Sequence, residues 1–575
     1  MSEPYKEYSD DNEAQAAEAA IIEGLGDDGL WEDPHFKADG ASIYKDSSRP
    51  PLGFFPVEVI DWSRINQLEV RGMSAPVTVS DEVGCVVQGA LNDCYFLSAL
   101  ALLSTKRELL EAVIVSDDNR GRGIYTVKFN KGGRWLYVHV DDRIPCNRAG
   151  DPYFSRSSSP QESWVMVLEK AHAKLHGCYE STRGGHVEYS LQDLTGFACS
   201  RIRLVEPRFS SSVSSGAMWQ RVKGYYGEGQ LLGFSRSRSS DPRAHEGGLL
   251  GGHVYPVAEV CELHADATAD LEALDVQLVR LVDRWGIAGG GWKGDWSEGS
   301  GLWEDYPDIK KTVDKKGEVK DSFWISWGDL VKNLNQLFVG YDLPEPATTA
   351  SYSGSWISGD VKTGAGGNPS NESFPQNPQY AFAANEPTKV VITLNQTDQM
   401  LTSGLLYEGS YESAIGFCLM KITGTKARST KFHPKKLLGC STTFAATRSV
   451  SGVCEVMPGR YAVVPCTVRP DVELDFTVQI KSDKGIILEN SGDKMAGQDD
   501  EESDDEELGE KGQVGGGVLD PNLEDGVEDD DETRGLQSMM LMVGDLATYV
   551  REVGGEVKGL EEQCRELEAK IDSAL

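Results

Sequence analysis

Three residues in this chain have side chains able to do chemistry together: a cysteine that opens a helix-like run, a histidine that opens a strand-like run, and an aspartate that closes one. Cys94 ends the polar turn Gln88-Gly-Ala-Leu-Asn-Asp93, and an apolar stretch follows through Phe96, Leu97, Ala99, Leu100, Leu102 and Leu103. A thiol at a helix amino end feels the positive end of the backbone dipole, which favours the thiolate. Gln88 lies close enough in sequence to set a side-chain amide near that sulfur, as an oxyanion donor would be. His253 follows the glycine-rich approach Gly247-Gly-Leu-Leu-Gly-Gly252, and Asp283 ends an apolar run beside Arg284 and Trp285. A neutral imidazole can take the thiol proton, and the imidazolium then stabilises the thiolate. A third residue on the far ring nitrogen fixes the tautomer, with Trp285 placed to shield that bond from water. Each segment alone reads as ordinary structure; the three together, in this order, point to nucleophilic attack by a thiol on an acyl carbon.

The elements that must hold these residues fall into blocks. Residues 1–30 are acidic and alanine-rich, with a short helix expected over 12–23 and a mobile arm as the plain reading. Residues 31–345 carry the three segments, and two lobes with a boundary near 200–210 are expected: a helical one supplying Cys94 and a strand-rich one supplying His253 and Asp283. The Ser/Arg stretch 235–243 reads as a surface loop before the histidine. Over 346–485 short strands alternate with Gly, Pro and Asn clusters; 390–394, 416–422, 460–465 and 475–480 read as antiparallel sandwich strands.

The residues of the second and third blocks resemble the calpain family of papain-like cysteine peptidases. The run 88–100 resembles the family's nucleophile segment, 31–36 its opening segment, and 123–129 with 135–145 its first-lobe hairpin. Residues 164–180 are similar to its long helix, with Gly184-Gly185 and Leu194-Thr-Gly196 following; 292–297 and 321–326 continue the likeness, and 354–356, 366–368 and 377–380 resemble the opening of its C2-like domain. The resemblance implies an α+β fold: a two-lobed protease core and then an antiparallel β-sandwich. It implies limited cleavage of protein substrates, with Cys94 attacking the carbonyl, His253 moving the proton, Asp283 orienting it, and Gln88 with the Cys94 amide holding the oxyanion.

Departures from the family pattern concern both chemistry and calcium. Asn92, Tyr95 and Arg284 stand where calpains have Gly, Trp and Pro, and Asp283 stands where they have Asn. A carboxylate still orients an imidazole, and its charge favours the thiolate–imidazolium pair. In the family two calcium ions bring the lobes together, and calcium takes about six to eight oxygen ligands. Here Glu180 and Glu298 are the residual candidate ligands, whereas Cys85, Gly291, Lys320 and Ser322 replace expected acids. The chemistry needs no cofactor, and calcium is left as an activator of doubtful necessity.

The formal net charge of −35 excludes general nucleic-acid binding, which draws its affinity from Lys and Arg. Eleven cysteines include no Cys-x-x-Cys pair, so a reducing, cytoplasmic setting is expected, and no signal peptide or membrane span is apparent. His172 and His176 read as ordinary helix residues, for no third metal ligand is evident. Residues 486–534 are a predicted disordered acidic linker that includes Ser503, a candidate phosphorylation site, and no EF-hand loop follows. Leu536, Met539, Val543, Leu546, Val550, Val553, Val557, Leu560, Cys564, Leu567 and Ile571 have heptad spacing, so 535–575 is a predicted coiled coil for self-association or a coiled-coil partner. The residues at 385–389 and 395–398 carry few carboxylates and give membrane contact little support. The alternative is a non-catalytic calpain-like scaffold acting through its sandwich and coiled coil.

Overall fold

The chain divides into two units, Met1–Asp342 with Asp398–Ser410, and Leu343–Thr397 with Tyr411–Leu575. The structure is a computed structural model that describes residues 4–26, 29–49, 61–68, 77–237, 246–266, 272–285, 291–343, 346–360, 362–403, 411–422, 428, 436–441, 444–489 and 517–518. The coiled-coil segment, Ser503 and nearly all of the acidic linker lie outside the described residues, as does most of the Ser/Arg stretch.

In the first unit, the helix Cys94–Leu103 is apolar all round, and every residue after Cys94 is buried. A helix of that composition belongs in the middle of a core rather than on a face. It shares one buried cluster with the helix Trp164–Leu175 and the hairpin Ile124–Lys131/Arg134–Asp141. Trp164–Leu175 is wholly buried although it carries Lys170 and Lys174. Both ammonium groups are matched: Lys170 bonds Asp141, and Lys174 donates to Asp33 at 2.7 Å. The helix stops at Leu175, short of the expected 180; Gly177 takes a φ of 99° and a tight turn over Tyr179–Thr182 follows. His172 stacks on Phe96 with ring centroids 4.1 Å apart, so it is a core residue, as is buried His176.

The amino-terminal helix spans Asp11–Glu23 and is no mobile arm. Asp10 caps it by accepting from the Glu13 amide at 2.9 Å. Its inner face buries Ala14 and Glu18 against the hairpin lobe. The Glu18 carboxylate accepts from Ser116 at 2.9 Å and Asn119 at 2.8 Å, and also from Thr126. Charge without a partner would have kept the segment in water; these three donors let it fold down.

The second lobe is an antiparallel six-stranded sheet ordered Ser322–Ser326, Leu274–Val282, Val254–Ala265, Leu231–Ser235, Gln336–Tyr341 and Ala198–Arg203. The passage between the lobes therefore comes at Gly196, just before the expected 200–210, where φ of 65° ends a helix. Leu231, Val254, Trp285 and Phe338 from this lobe join the same buried cluster as the Cys94–Leu103 helix. Gly233 is needed there, because a Cβ would lie 2.6 Å from both Leu102 and Val254.

The second unit is a sandwich of two antiparallel sheets. One is ordered Thr348–Trp356, Leu474–Ser482, Thr388–Gln396, Ser449–Val456 and the two-residue Gly517–Val518; the other is ordered Leu437–Cys440, Ile415–Ile422, Gly459–Thr467, Tyr380–Ala384 and Ile486–Glu489. Ile392, Leu394, Phe476 and Val478 of one sheet pack with Phe382, Phe417, Tyr461 and Val463 of the other. The alternation read from the sequence sends these residues inward.

Candidate active site

Antiparallel pairing brings His253 and Asp283 to one end of a sheet. Val254–Ala265 and Leu274–Val282 are neighbours with Val257 opposite Leu281, so the start of one strand lies beside the end of the other. His253 immediately precedes the first strand, and Asp283 immediately follows the second. The glycines before His253 are required: Gly247, Gly248 and Gly252 have φ of 78°, 86° and 76°, a region that side chains rarely enter. The Gly252 amide donates to the Arg236 carbonyl at 2.8 Å, and the Leu250 amide to the Tyr255 hydroxyl at 2.8 Å.

Trp285 connects the two polar residues. Its ring meets the His253 ring edge to face at 4.2 Å, its indole N–H donates to the Val254 carbonyl at 2.9 Å, and its amide donates to the Asp283 carboxylate at 3.1 Å. His253 Nδ1 lies 3.0 Å from the Gly251 carbonyl. A carbonyl only accepts, so Nδ1 carries a proton in that contact. Burial raises the Asp283 carboxyl above the usual range, the Trp285 amide opposes this, and the Asp321 charge adds to it.

Cys94 is half-buried at the first position of its helix. The loop before it is fixed at several points: Ala90 N–H donates to Tyr153 at 3.1 Å, and Gly184 N–H to the Asn92 carbonyl at 2.9 Å. Gly89 passes so close to Phe154 that a Cβ would be 2.1 Å from its carbonyl carbon. Gly185 leaves room for the Tyr95 ring in the same way. Gln88 stands in this loop, and its side-chain amide donates to the Leu91 carbonyl at 3.2 Å.

Sequence reasoning passed over the carboxyl pair beneath the nucleophile. Asp93 and Glu169 are both buried and face each other across one hydrogen bond between their carboxyls. Burial raises both, Asp93 well above its usual value and Glu169 to about 7, and the Glu169 charge pushes Asp93 further up. An acid before a nucleophile reads in sequence as an N-cap, and nothing local reveals a second acid on a distant helix.

The residual calcium candidates stand apart. Glu180 accepts from the Lys45 amide at 2.9 Å, and Glu298 is exposed. Lys320 faces Glu82 at 3.6 Å, and Cys85 puts a soft sulfur where a hard carboxylate is wanted. Among the described residues no group of three or more His, Cys, Asp or Glu side chains is arranged to hold a metal. This donor set does not fit calcium.

Comparison with known proteins gives the family. Residues 31–340 match the family described as calpain family cysteine protease, and residues 352–480 match calpain large subunit, domain III. The calpain-type cysteine protease ADL1 of Oryza sativa subsp. japonica is 33% identical over 496 residues, which are 83% of this chain and 22% of that protein. The calpain-type cysteine protease DEK1 of Zea mays is 32% identical, across 80% of this chain and 21% of its own length. Calpain-10 of Macaca fascicularis is 28% identical, across 80% of this chain and 74% of its own length. The chain thus spans about a fifth of the plant relatives. It belongs to the calpain family. No helix among the described residues is long and apolar enough to cross a membrane.

Proposed function

We propose that this chain is an active cytoplasmic thiol endopeptidase that makes limited cleavages in protein substrates without needing calcium. Cys94 attacks the peptide carbonyl, His253 takes the thiol proton on Nε2 and returns it to the leaving amine, and Asp283 fixes the histidine segment through Trp285. The backbone amide of Cys94 and the Gln88 side chain receive the oxyanion, which requires Gln88 to release Leu91 when substrate enters. The observation that supports this reading best is the shared core: the Cys94 helix packs on the strand that His253 opens. Segment 535–575 adds self-association or a coiled-coil partner.

The test is covalent. The full chain is incubated with an epoxysuccinyl thiol probe, with calcium or with a chelator, and adducts are mapped by mass spectrometry. Rapid labelling of Cys94 in the chelator is the expected result, with Cys94→Ser and His253→Ala both abolishing it. Labelling confined to the calcium arm would overturn calcium independence. Labelling of Cys94 no faster than the other cysteines would replace the peptidase by the scaffold.

A further inference from the structure

The loop that leads to Cys94 is held to the strand end that carries Asp283 by side chains that no catalytic step uses. The Val86 amide donates to the Arg284 carbonyl at 2.8 Å, and the Arg284 guanidinium returns a bond to the Val83 carbonyl at 3.1 Å. Between them sits Cys85, 7% exposed, its sulfur 3.8 Å from the Asp283 carbonyl and 3.7 Å from the Asp321 carboxylate. Asp321 in turn accepts the Asp283 amide on its backbone carbonyl at 2.7 Å and has a φ of 54°, an uncommon conformation for a residue with a side chain. Each side is anchored in its own lobe. Val86 and Val87 pair with Ser157 and Arg156, and Cys85 N–H donates to Ser158 at 2.8 Å. Across the contact, Asp283 continues the strand Leu274–Val282, which pairs with Ser322–Ser326.

We infer that Arg284, with Cys85 beneath it, is a metal-free clasp between the two lobes and the residue that positions Asp283 and Trp285 against the Cys94 loop. The inference rests on the peptidase reading for its catalytic consequence, though not for the clasp itself. The chemistry at this seam suits direct contact and not a cation. A guanidinium nitrogen donates to the Val83 carbonyl, the buried Cys85 thiol lies between a carbonyl and a carboxylate, and the nearby Lys320 ammonium meets Glu82. Lys320 and Glu82 are both largely exposed, so their pair adds little; the half-buried Arg284 and buried Cys85 carry the contact. The long arginine side chain reaches Val83 while its own carbonyl stays bonded to Val86. Proline, the calpain residue here, has no such side chain.

The test reads position and chemistry separately in the full chain. For Arg284→Ala, the maximal rate of Cys94 labelling by the epoxysuccinyl probe is expected to fall about tenfold to a hundredfold, the cost of a small misplacement, with the probe's half-saturating concentration unchanged. Added calcium is expected to leave that loss unrepaired, and hydrogen exchange at the Val86 amide to quicken. Arg284→Lys, which keeps one donor, is expected to recover part of both, and it carries the comparison should the alanine variant unfold. Wild-type labelling together with wild-type Val86 protection in Arg284→Ala would overturn the clasp. So would full rescue by calcium, since a metal would then be doing the aligning. If the wild-type chain shows no selective labelling, faster Val86 exchange in Arg284→Ala would uphold the clasp while the peptidase reading fails.

Discussion

Asp283 and Glu169 are carboxyls held above their ordinary range, and both make stability depend on pH in the same direction. A folded-state value raised above the unfolded one favours the folded chain while the group is protonated, so stability is fullest below the unfolded value. It is lost as pH rises through the folded value. For Glu169 that value is about 7, set by burial, and the groups facing it are Asp93 and the Ser155 amide, with no cation among them. The melting temperature of the full chain is therefore expected to fall between about pH 4.5 and about pH 7 and to level off above that. Glu169→Gln, which keeps a hydrogen-bonding side chain of the same shape, should flatten that slope, and a slope left unchanged would mean that Glu169 is not raised in the folded chain. Asp283→Asn removes a buried charge and retains an oxygen for the Trp285 amide. It should raise the melting temperature near neutral pH and preserve Cys94 labelling, because the bond that fixes Trp285 survives. Loss of labelling in that variant would show that the negative charge itself supports the thiolate–imidazolium pair.

At the scale of elements, short sequence patterns were readable where the cause of the element is local. The nucleophile helix and the main sandwich strands follow from apolar runs and turn residues, and the hairpin from its likeness to the calpain segment. Glycines before His253 announce a backbone that side chains cannot adopt. What was not readable came from partners distant in sequence. The amino-terminal helix looked idle because its acids and alanines advertise no apolar face, and the docking depends on Ser116, Asn119 and Thr126, about a hundred residues away. That dependence gives a prediction. Glu18→Ala leaves two buried hydroxyls and the half-buried Asn119 amide without their acceptor and should destabilise the first unit by about 2–3 kcal/mol. Protease protection of residues 11–23 should be lost before the rest of the unit melts. Near the same helix, His139 is pushed down to about 4, by burial first and then by Lys174. It stays neutral when folded, so its contribution is present above the ordinary histidine value and lost as pH falls toward 4.

For the whole molecule, the sequence supplied the order of parts, because each part has its own composition, whereas the seam between the lobes depends on side chains that only the fold brings together. Cys85, Arg284 and Asp321 look unrelated in a list of residues, yet they meet within hydrogen-bonding range. The heptad spacing over 535–575 predicts association, and its strength can be reasoned from charge. The chain carries a formal net charge of −35, so two copies repel; that repulsion is screened over about 10 Å at 0.1 M salt. Gly544, Gly554, Gly555 and Gly559, between the seam positions, each cost up to about 1 kcal/mol relative to alanine, which places association in a weak, concentration-dependent range. Sedimentation of the full chain is therefore expected to show self-association that strengthens as salt is added, the reverse of a complex held by opposite charges. Deleting 535–575 should give a monomer at all salt concentrations with Cys94 labelling unchanged. If the deletion lowered the labelling rate instead, the segment would be acting on the catalytic unit itself, and the helix would belong to the protease rather than to a partner.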